Sequence, residues 1–513
     1  MDLQASRPVP LPPSLRKRFY EPVIMLYCLT AAYVNGQIAE SAGSEAALPS
    51  SRKQIYFCFV NKLAHICDSR KGGKTVTSFA VLQPGSIEYR FGSNSRRPSE
   101  LTKVRNYITG ILTTLGEASS DDIKKATKDS KQPIFCQILA KITLFNRPRI
   151  EYYARTLAKQ VDFCIDGLED DDSDEACSSL SNLQTLKQLA SFALRPAEPE
   201  EEEDDSDSPA LTRIPEDEYV DLVDSLVRTI DEFRADGLEE FIRDKCQGDR
   251  EGPATTHWSD VHHALGRLLS YFFAVKVLIS ARKLWPELFA DFTVVSIPSS
   301  RPDRKSPDIR KSASKIISRM TNKSDILNEY RRNADDLQRW GLDEKIVEVT
   351  DPDAFKPIVH AEVLLDDALR REDRRNLATG EERVRFYRES EFGRYISSSK
   401  PTCRLCALYF EAHPDRVQVR PSHHNLYYNW RAPDVFASDD EAAEAQRNAV
   451  LQRMTTILRD ETFAAIRNRS ATHRPFDSNN TPSNVPLLMS TDRSSSTADA
   501  GDLVSVMGSL SIR

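Results

Sequence analysis

Apolar residues recur at helical spacing along most of the first 290 residues. This periodicity predicts helices over residues 105–115, 134–157 and 216–285. We therefore predict a mainly helical N-terminal domain over residues 1–165 and a second helical region over residues 213–335. Within that second region, Phe292 to Ile297 is a β-branched run that ends at Pro298, which predicts a strand.

Charge separates these helical stretches. Two dense acidic runs, 169–175 and 200–207, lie within residues 166–212. Like charges at this density repel and cannot be buried, so we predict an acidic disordered linker or insert there, with docking of a basic protein partner as the functional alternative. Residues 469–513 are rich in Ser, Thr, Asn and Pro and predict a disordered tail.

Composition limits the class of protein. The 513 residues exceed what one hydrophobic core usually serves, so we expect a multidomain chain. Nine scattered cysteines do not form a secreted disulfide framework, which favours an intracellular protein, cytoplasmic or nuclear. The apolar stretch 268–281 contains Lys276 and is too short to cross a bilayer, so no membrane partner is expected.

Two short motifs carry the candidate chemistry. His360 and Glu362 begin one predicted amphipathic helix, and Cys403 and Cys406 begin another. Two thiolates and one imidazole supply three of the four tetrahedral positions of Zn²⁺ and leave one for water. Zinc lowers the pKa of that water and produces a hydroxide nucleophile. Glu362 would act as the proton shuttle: it would take the proton of the water and pass it to the ring nitrogen and the leaving amine of the substrate.

His-x-Glu followed by Cys-x-x-Cys is the order of the zinc deaminases. The chain resembles the OTT_1508-like deaminase family of the cytidine deaminase-like superfamily, largely fungal, through these motifs and through residues 417–423 and 428–431. The resemblance implies a C-terminal α/β/α three-layer domain with a mixed sheet, which we place at residues 336–468 together with a C-terminal helix. In one departure, Thr402 separates Pro401 from Cys403, so metal binding is better supported than catalysis.

The sequence leaves two functions open. One is hydrolytic deamination of a nucleobase, free or in a nucleotide or nucleic acid; the net charge of −7 favours a small substrate and the basic segment 301–323 favours nucleic acid. The other is an inactive, zinc-stabilised scaffold for protein interactions, as expected if His413, His423 or His424 supplied a fourth ligand. For an enzyme, we predict substrate contacts at His423, His424, Asn425 and Trp430.

Overall fold

The computed structural model describes residues 8–34, 51–168, 173–194, 214–248 and 257–468, apart from residues 304, 306, 310, 438 and 440. Helices dominate this part of the chain. In chain order they are α1 (Pro13–Val34), α2 (Arg52–Cys67), α3 (Pro98–Glu117), α4 (Ser120–Ala126), α5 (Pro133–Phe145), α6 (Arg147–Asp166), α7 (Asp174–Ala190), α8 (Glu216–Ala235), α9 (Leu238–Gly248), α10 (His257–Leu284), α11 (Ala313–Met320), α12 (Ser324–Asp336), α13 (Leu342–Val349), α14 (Ala361–Thr379), α15 (Glu389–Phe392), α16 (Arg404–Ala412) and α17 (Glu441–Asn468).

The chain divides into two compact units, each assembled from separated stretches. Of the described residues, the site unit comprises those within 8–34, 76–105 and 292–468, and the helical unit those within 51–75 and 106–291. This grouping differs from the consecutive segments expected from the sequence, because hydrophobic periodicity does not reveal which distant elements pair.

The strands belong to the site unit. They are β1 (Pro8–Val9), β2 (Thr77–Leu82), β3 (Ile87–Ser93), β4 (Phe292–Ile297), β5 (Tyr395–Ile396), β6 (Gln418–Val419) and β7 (Val435–Phe436). β4 confirms the predicted strand. The β2–β3 hairpin, however, lies within residues predicted to be mainly helical. Every residue of β2 is buried, so the alternation that identifies a half-exposed strand is missing.

Hydrogen bonds extend the hairpin into a mixed sheet. β2 is antiparallel to β3, and β3 is parallel to β4. On the other edge of β2, the backbone amides of Ser397 and Ser399 each donate to β2 carbonyls at 2.8 Å, in antiparallel order. β5 in turn pairs in parallel with β6. The three-stranded sheet β2-β3-β4 and the two-stranded sheet β5-β6 are therefore linked through the residues that follow β5. β2 runs antiparallel both to β3 and to that segment.

The core of the site unit joins the first and the last helix that the structure describes. α1 packs along α17, and buried side chains of both helices form one cluster with those of α14 and α16. The apolar residues of α1 are accordingly buried: Phe19, Val23 and Ile24 are at most 1% exposed.

The helical unit is centred on α10, which packs against α2, α5, α6, α8 and α9. By length and composition α10 could span a membrane, but 89% of its most apolar window is buried. It is therefore accounted for as a core helix. α7 occupies part of the predicted acidic linker, where Ser173 caps its first turn. The second acidic run and the predicted disordered tail lie outside the described residues.

Candidate metal centre

Two helix starts bring the motif residues together. His360 and Cys403 are the N-cap residues of α14 and α16, and both have extended backbone conformations. The Cys403 sulfur accepts the backbone N–H of Cys406 at 3.4 Å. Because an N-cap side chain lies beside the first helical turn, this arrangement places both cysteine sulfurs at the positive end of α16.

Thr402 does not displace the cysteines. Its backbone forms a parallel bridge with Ser422, through Thr402 N–H to the Pro421 carbonyl at 3.2 Å and His423 N–H to the Thr402 carbonyl at 3.1 Å. The additional residue therefore serves as an anchor to the following strand segment, and α16 still begins directly after Cys403.

The three predicted ligands converge. His360 Nδ1 lies 3.5 Å from the sulfur of Cys403 and 3.5 Å from the sulfur of Cys406, and all three ligand atoms lie within 4.8 Å of one another. With ordinary Zn–S and Zn–N bond lengths, a tetrahedral zinc gives an N···S separation of about 3.6 Å. Both the donor set and its spacing therefore fit zinc.

No fourth protein ligand joins the group among the described residues. The candidate metal group consists of His360, Cys403 and Cys406, and neither His413, His423 nor His424 belongs to it. A closed structural site would use four protein ligands, whereas a catalytic zinc site keeps one position for water. The arrangement thus resembles the catalytic type.

Residues 359–434 match the family model of the OTT_1508-like deaminases. The match confirms the resemblance found from the motifs and contains all three candidate ligands and Glu362. No curated protein and no solved structure matches the chain.

The electrostatics of this deaminase-like segment favour ionised sulfur. Burial would raise the pKa of Cys403, but hydrogen bonding with Cys406 and the charge of His360 hold it well below its usual range. Burial and the neighbouring Cys403 raise the pKa of Cys406 well above it. One sulfur thus ionises far more readily than the other, and a divalent cation would favour ionisation of both.

Glu362 lies in the first turn of α14 and is 4% exposed. Its carboxyl group interacts with the Cys406 side chain, and burial followed by the charge of Cys403 raises its pKa. The carboxyl group is therefore beside the ligand cluster without being a member of it, the placement that proton transfer at a metal site requires.

Trp430 contacts a ligand. Its indole Nε1 donates to the sulfur of Cys406 at 3.2 Å, and the side chain is fully buried. The ring packs near Phe19, at 5.7 Å between centroids, and near Tyr409, at 6.3 Å. Trp430 is therefore a buried side chain that supports the Cys406 ligand. The predicted contact of Trp430 with substrate stays a prediction.

We expect Trp430→Phe to weaken zinc binding while preserving the fold. Phenylalanine retains most of the apolar volume but cannot donate to the Cys406 sulfur. Loss of such an outer contact typically reduces metal affinity about 10–100-fold. Competition titration with a chromophoric zinc chelator would measure the change.

The matched control for this measurement is Trp340→Phe, because Trp340 is 42% exposed and lies in a different part of the chain. Equal zinc affinity in the wild type and Trp430→Phe would show that the indole hydrogen bond contributes nothing.

The loop after β6 holds three other predicted substrate contacts. His423 Nδ1 accepts the backbone N–H of Asn425 at 2.9 Å, and the Asn425 carbonyl accepts the N–H of Arg404 at 3.0 Å. His424 has a positive φ of 59°. The observed contacts of this loop support the start of α16, and the predicted substrate contacts of these three residues stay predictions.

Sequence reasoning missed two residues beside the centre. The Tyr427 side chain is 39% exposed, and its ring centroid lies 6.3 Å from that of His360. Asn94, which follows β3, accepts the Ala361 N–H through its side-chain oxygen at 2.7 Å and so supports the α14 start. A lone Tyr or Asn has no spacing signal, and Asn94 lies far from the motifs in the chain.

His413, which was also a candidate for the fourth metal ligand, lies at the C-terminal end of α16. It is 7% exposed, and its Nδ1 accepts the Asp415 N–H at 3.3 Å. Burial, followed by the charges of Arg370, Arg374 and Arg453, lowers its pKa to about 3. His413 is therefore neutral in the folded chain at neutral pH.

This neutral histidine predicts acid sensitivity. Below pH 6.5 the unfolded chain binds a proton that folded His413 rejects, so stability falls as pH decreases from about 6.5 towards 3. At pH 5 the cost is about 2 kcal/mol. His413→Gln should lose less stability than the wild type between pH 7.5 and pH 5, as measured by urea unfolding. Equal losses in both proteins would contradict the assignment.

Proposed function

We propose that the chain is a zinc-dependent hydrolytic deaminase of a nucleobase. The observation that carries this proposal is the convergence of His360, Cys403 and Cys406 on one point, with no fourth ligand among the described residues and with Glu362 beside them. That combination provides a metal position open to water together with a proton carrier, and a purely structural zinc site requires neither.

In this mechanism His360, Cys403 and Cys406 would hold the metal. Zinc, when bound, activates water for attack at neutral pH. Glu362 accepts a proton from the attacking water and passes protons to the ring nitrogen and then to the exocyclic amine, which leaves as ammonia. A carbonyl replaces the amine, at C4 of cytosine or C6 of adenine.

The base would be held by residues around the same opening. Tyr427 offers an exposed ring near His360, and a nucleobase can stack on such a face. His423, close to Tyr427 at 5.9 Å between ring centroids, would border the base on another side. Asn425, His424 and Trp430 remain proposed contacts.

The three-layer α/β/α arrangement is part of this proposal. The mixed sheet supports it, because β2 runs against β3 and against the segment after β5, and because α14 packs on β2 and β3. α16 adjoins both α14 and β6, so the two motif helices lie in neighbouring positions against the sheet. An intracellular location and a protein partner for the acidic stretch also stay proposals.

A substrate screen tests the proposed activity. Zinc-loaded full-length protein would be incubated with cytidine, adenosine, their monophosphates, single-stranded RNA and single-stranded DNA. Mass spectrometry would then detect conversion of cytosine to uracil or of adenine to hypoxanthine. Product from one class would identify the substrate. No product from any class, with folded and zinc-loaded protein, would favour the scaffold function.

A further inference from the structure

The site unit contains a second polar cavity, which is separate from the candidate metal centre. It lies between the C-terminal half of α14, the end of α16, the segment 432–435 and α17. Arg370 is eight residues beyond Glu362 on α14, about 12 Å along the helix axis. The proposed deamination makes no use of this cavity.

Arginines dominate the charge of the cavity lining. Arg370, Arg371, Arg374 and Arg447 line it together with the carboxylates of Asp367 and Asp434. Both carboxylates are already paired: Asp367 accepts from Arg371 at 2.8 Å, and Asp434 accepts from Arg431 at 2.8 and 3.0 Å. Within the lining itself four cations thus outnumber two anions. The other carboxylates that pair with these arginines lie outside the lining: Asp366, Asp415, Asp439 and Glu444.

Two of the arginines retain unused donors. Arg370 donates to Asp366 at 2.6 Å and to Asp415, but its Nη2 is buried without a hydrogen-bond partner among the described residues. Arg447 donates through Nη1 to the Val9 carbonyl at 2.9 Å, whereas its Nε and Nη2 are buried and make no hydrogen bond to any residue that the structure describes. Glu444 lies 3.8 Å from Arg447 Nη2, which is too far for a hydrogen bond.

Both side chains are more than nine-tenths enclosed, with exposures of 9% for Arg370 and 7% for Arg447. A buried guanidinium N–H without an acceptor is costly, so native proteins usually supply one. Here the two arginines border the same cavity, and an anion within it would supply acceptors to both.

The size of the cavity limits the ligand. It offers about 40 Å³ of space for the centres of water molecules. One buried water needs about 10–15 Å³ of such space, so roughly three waters fit, or one tetrahedral oxyanion. A nucleotide or a polyphosphate is too large to be enclosed.

We propose that this cavity binds a single phosphate group through Arg370 and Arg447. Guanidinium groups bind phosphate with paired, charge-assisted hydrogen bonds. The group is either free inorganic phosphate or the end of a phosphomonoester whose organic part extends past the exposed Arg374.

Isothermal titration calorimetry of the full chain, at constant ionic strength, tests this site with inorganic phosphate and with methyl phosphate. We expect saturable binding of one ion per chain, weakened about tenfold or more in Arg447→Gln and in Arg370→Gln. The matched control is Arg375→Gln, because Arg375 is exposed on the same helix outside the cavity. Binding of methyl phosphate as well as inorganic phosphate would show that the cavity accepts a monoester; binding of inorganic phosphate alone would restrict the ligand to the free ion.

A further variant, His360→Ala, separates this site from the metal centre. It should bind phosphate as the wild type does, whatever the outcome for deamination. Absence of binding to the folded wild type would overturn the proposal. So would binding that persists in both Arg447→Gln and Arg370→Gln, or binding that disappears in His360→Ala protein that is still folded.

Discussion

Purified wild-type protein is expected to hold one zinc ion per chain, and His360→Ala, Cys403→Ser and Cys406→Ser should each lose most of it. Each change removes one of three converging ligands. A thiolate binds zinc far more strongly than a serine hydroxyl does, and a site with only two protein ligands holds the metal weakly. Mass-spectrometric metal analysis after dialysis would measure the stoichiometry.

Cys136→Ser is the control for this series, because Cys136 is an exposed free cysteine in the helical unit. It should retain wild-type zinc. The ligand variants should also melt at lower temperature, since a metal that binds only the folded state adds stability. A well-folded wild type that takes up no zinc from a supplemented buffer would refute the metal centre and, with it, the proposed deamination.

The ligands could be predicted from the sequence because their chemistry is local. Cys403 and Cys406 are three residues apart, and His360 precedes Glu362 by two, so each pair occupies one helix start. Only the meeting of the two pairs depends on the tertiary structure, and it was expected from the resemblance to the deaminase family.

The hydrogen bonds that hold the segment around His360 in place could not be predicted from the sequence in this way. Asn94 accepts the Ala361 N–H, and Ser300 Oγ accepts the Val359 N–H at 2.9 Å. Both side chains hold the segment around His360 from distant parts of the chain. Short polar side chains such as these occur in every loop, so nothing in their neighbourhood identifies a partner more than 50 residues away.

The β2–β3 hairpin and its pairing with the segment after β5 were missed for a related reason. β2 and β3 lie between helices α2 and α3, and β5 follows some 300 residues later. A fully buried strand and a buried helix share an unbroken apolar pattern. The pairing of Thr77 and Phe79 carbonyls with the amides of Ser399 and Ser397 therefore becomes visible only in the folded chain.

Glu362→Gln is expected to abolish most deamination while leaving zinc bound. The amide has nearly the same shape as the carboxyl group but cannot accept and return a proton. General acid–base catalysis typically contributes about 10²–10⁴-fold, so kcat should fall by that factor on whichever substrate the screen identifies. Because Glu362 lies outside the ligand cluster, the zinc content should stay at the wild-type value.

Glu372→Gln is the matched control, since Glu372 lies on the same helix about 15 Å further along its axis. It should keep wild-type kcat and zinc. If Glu362→Gln retains full activity, another group moves the proton and the proposed role of Glu362 is wrong. If instead Glu362→Gln unfolds or loses zinc, the buried carboxyl group supports the ligands, and Glu362→Asp, which keeps a carboxyl group but shortens its reach, then separates the two roles. Retained zinc with lost activity in the aspartate variant assigns Glu362 to proton transfer, because the charge is preserved and only its position has changed.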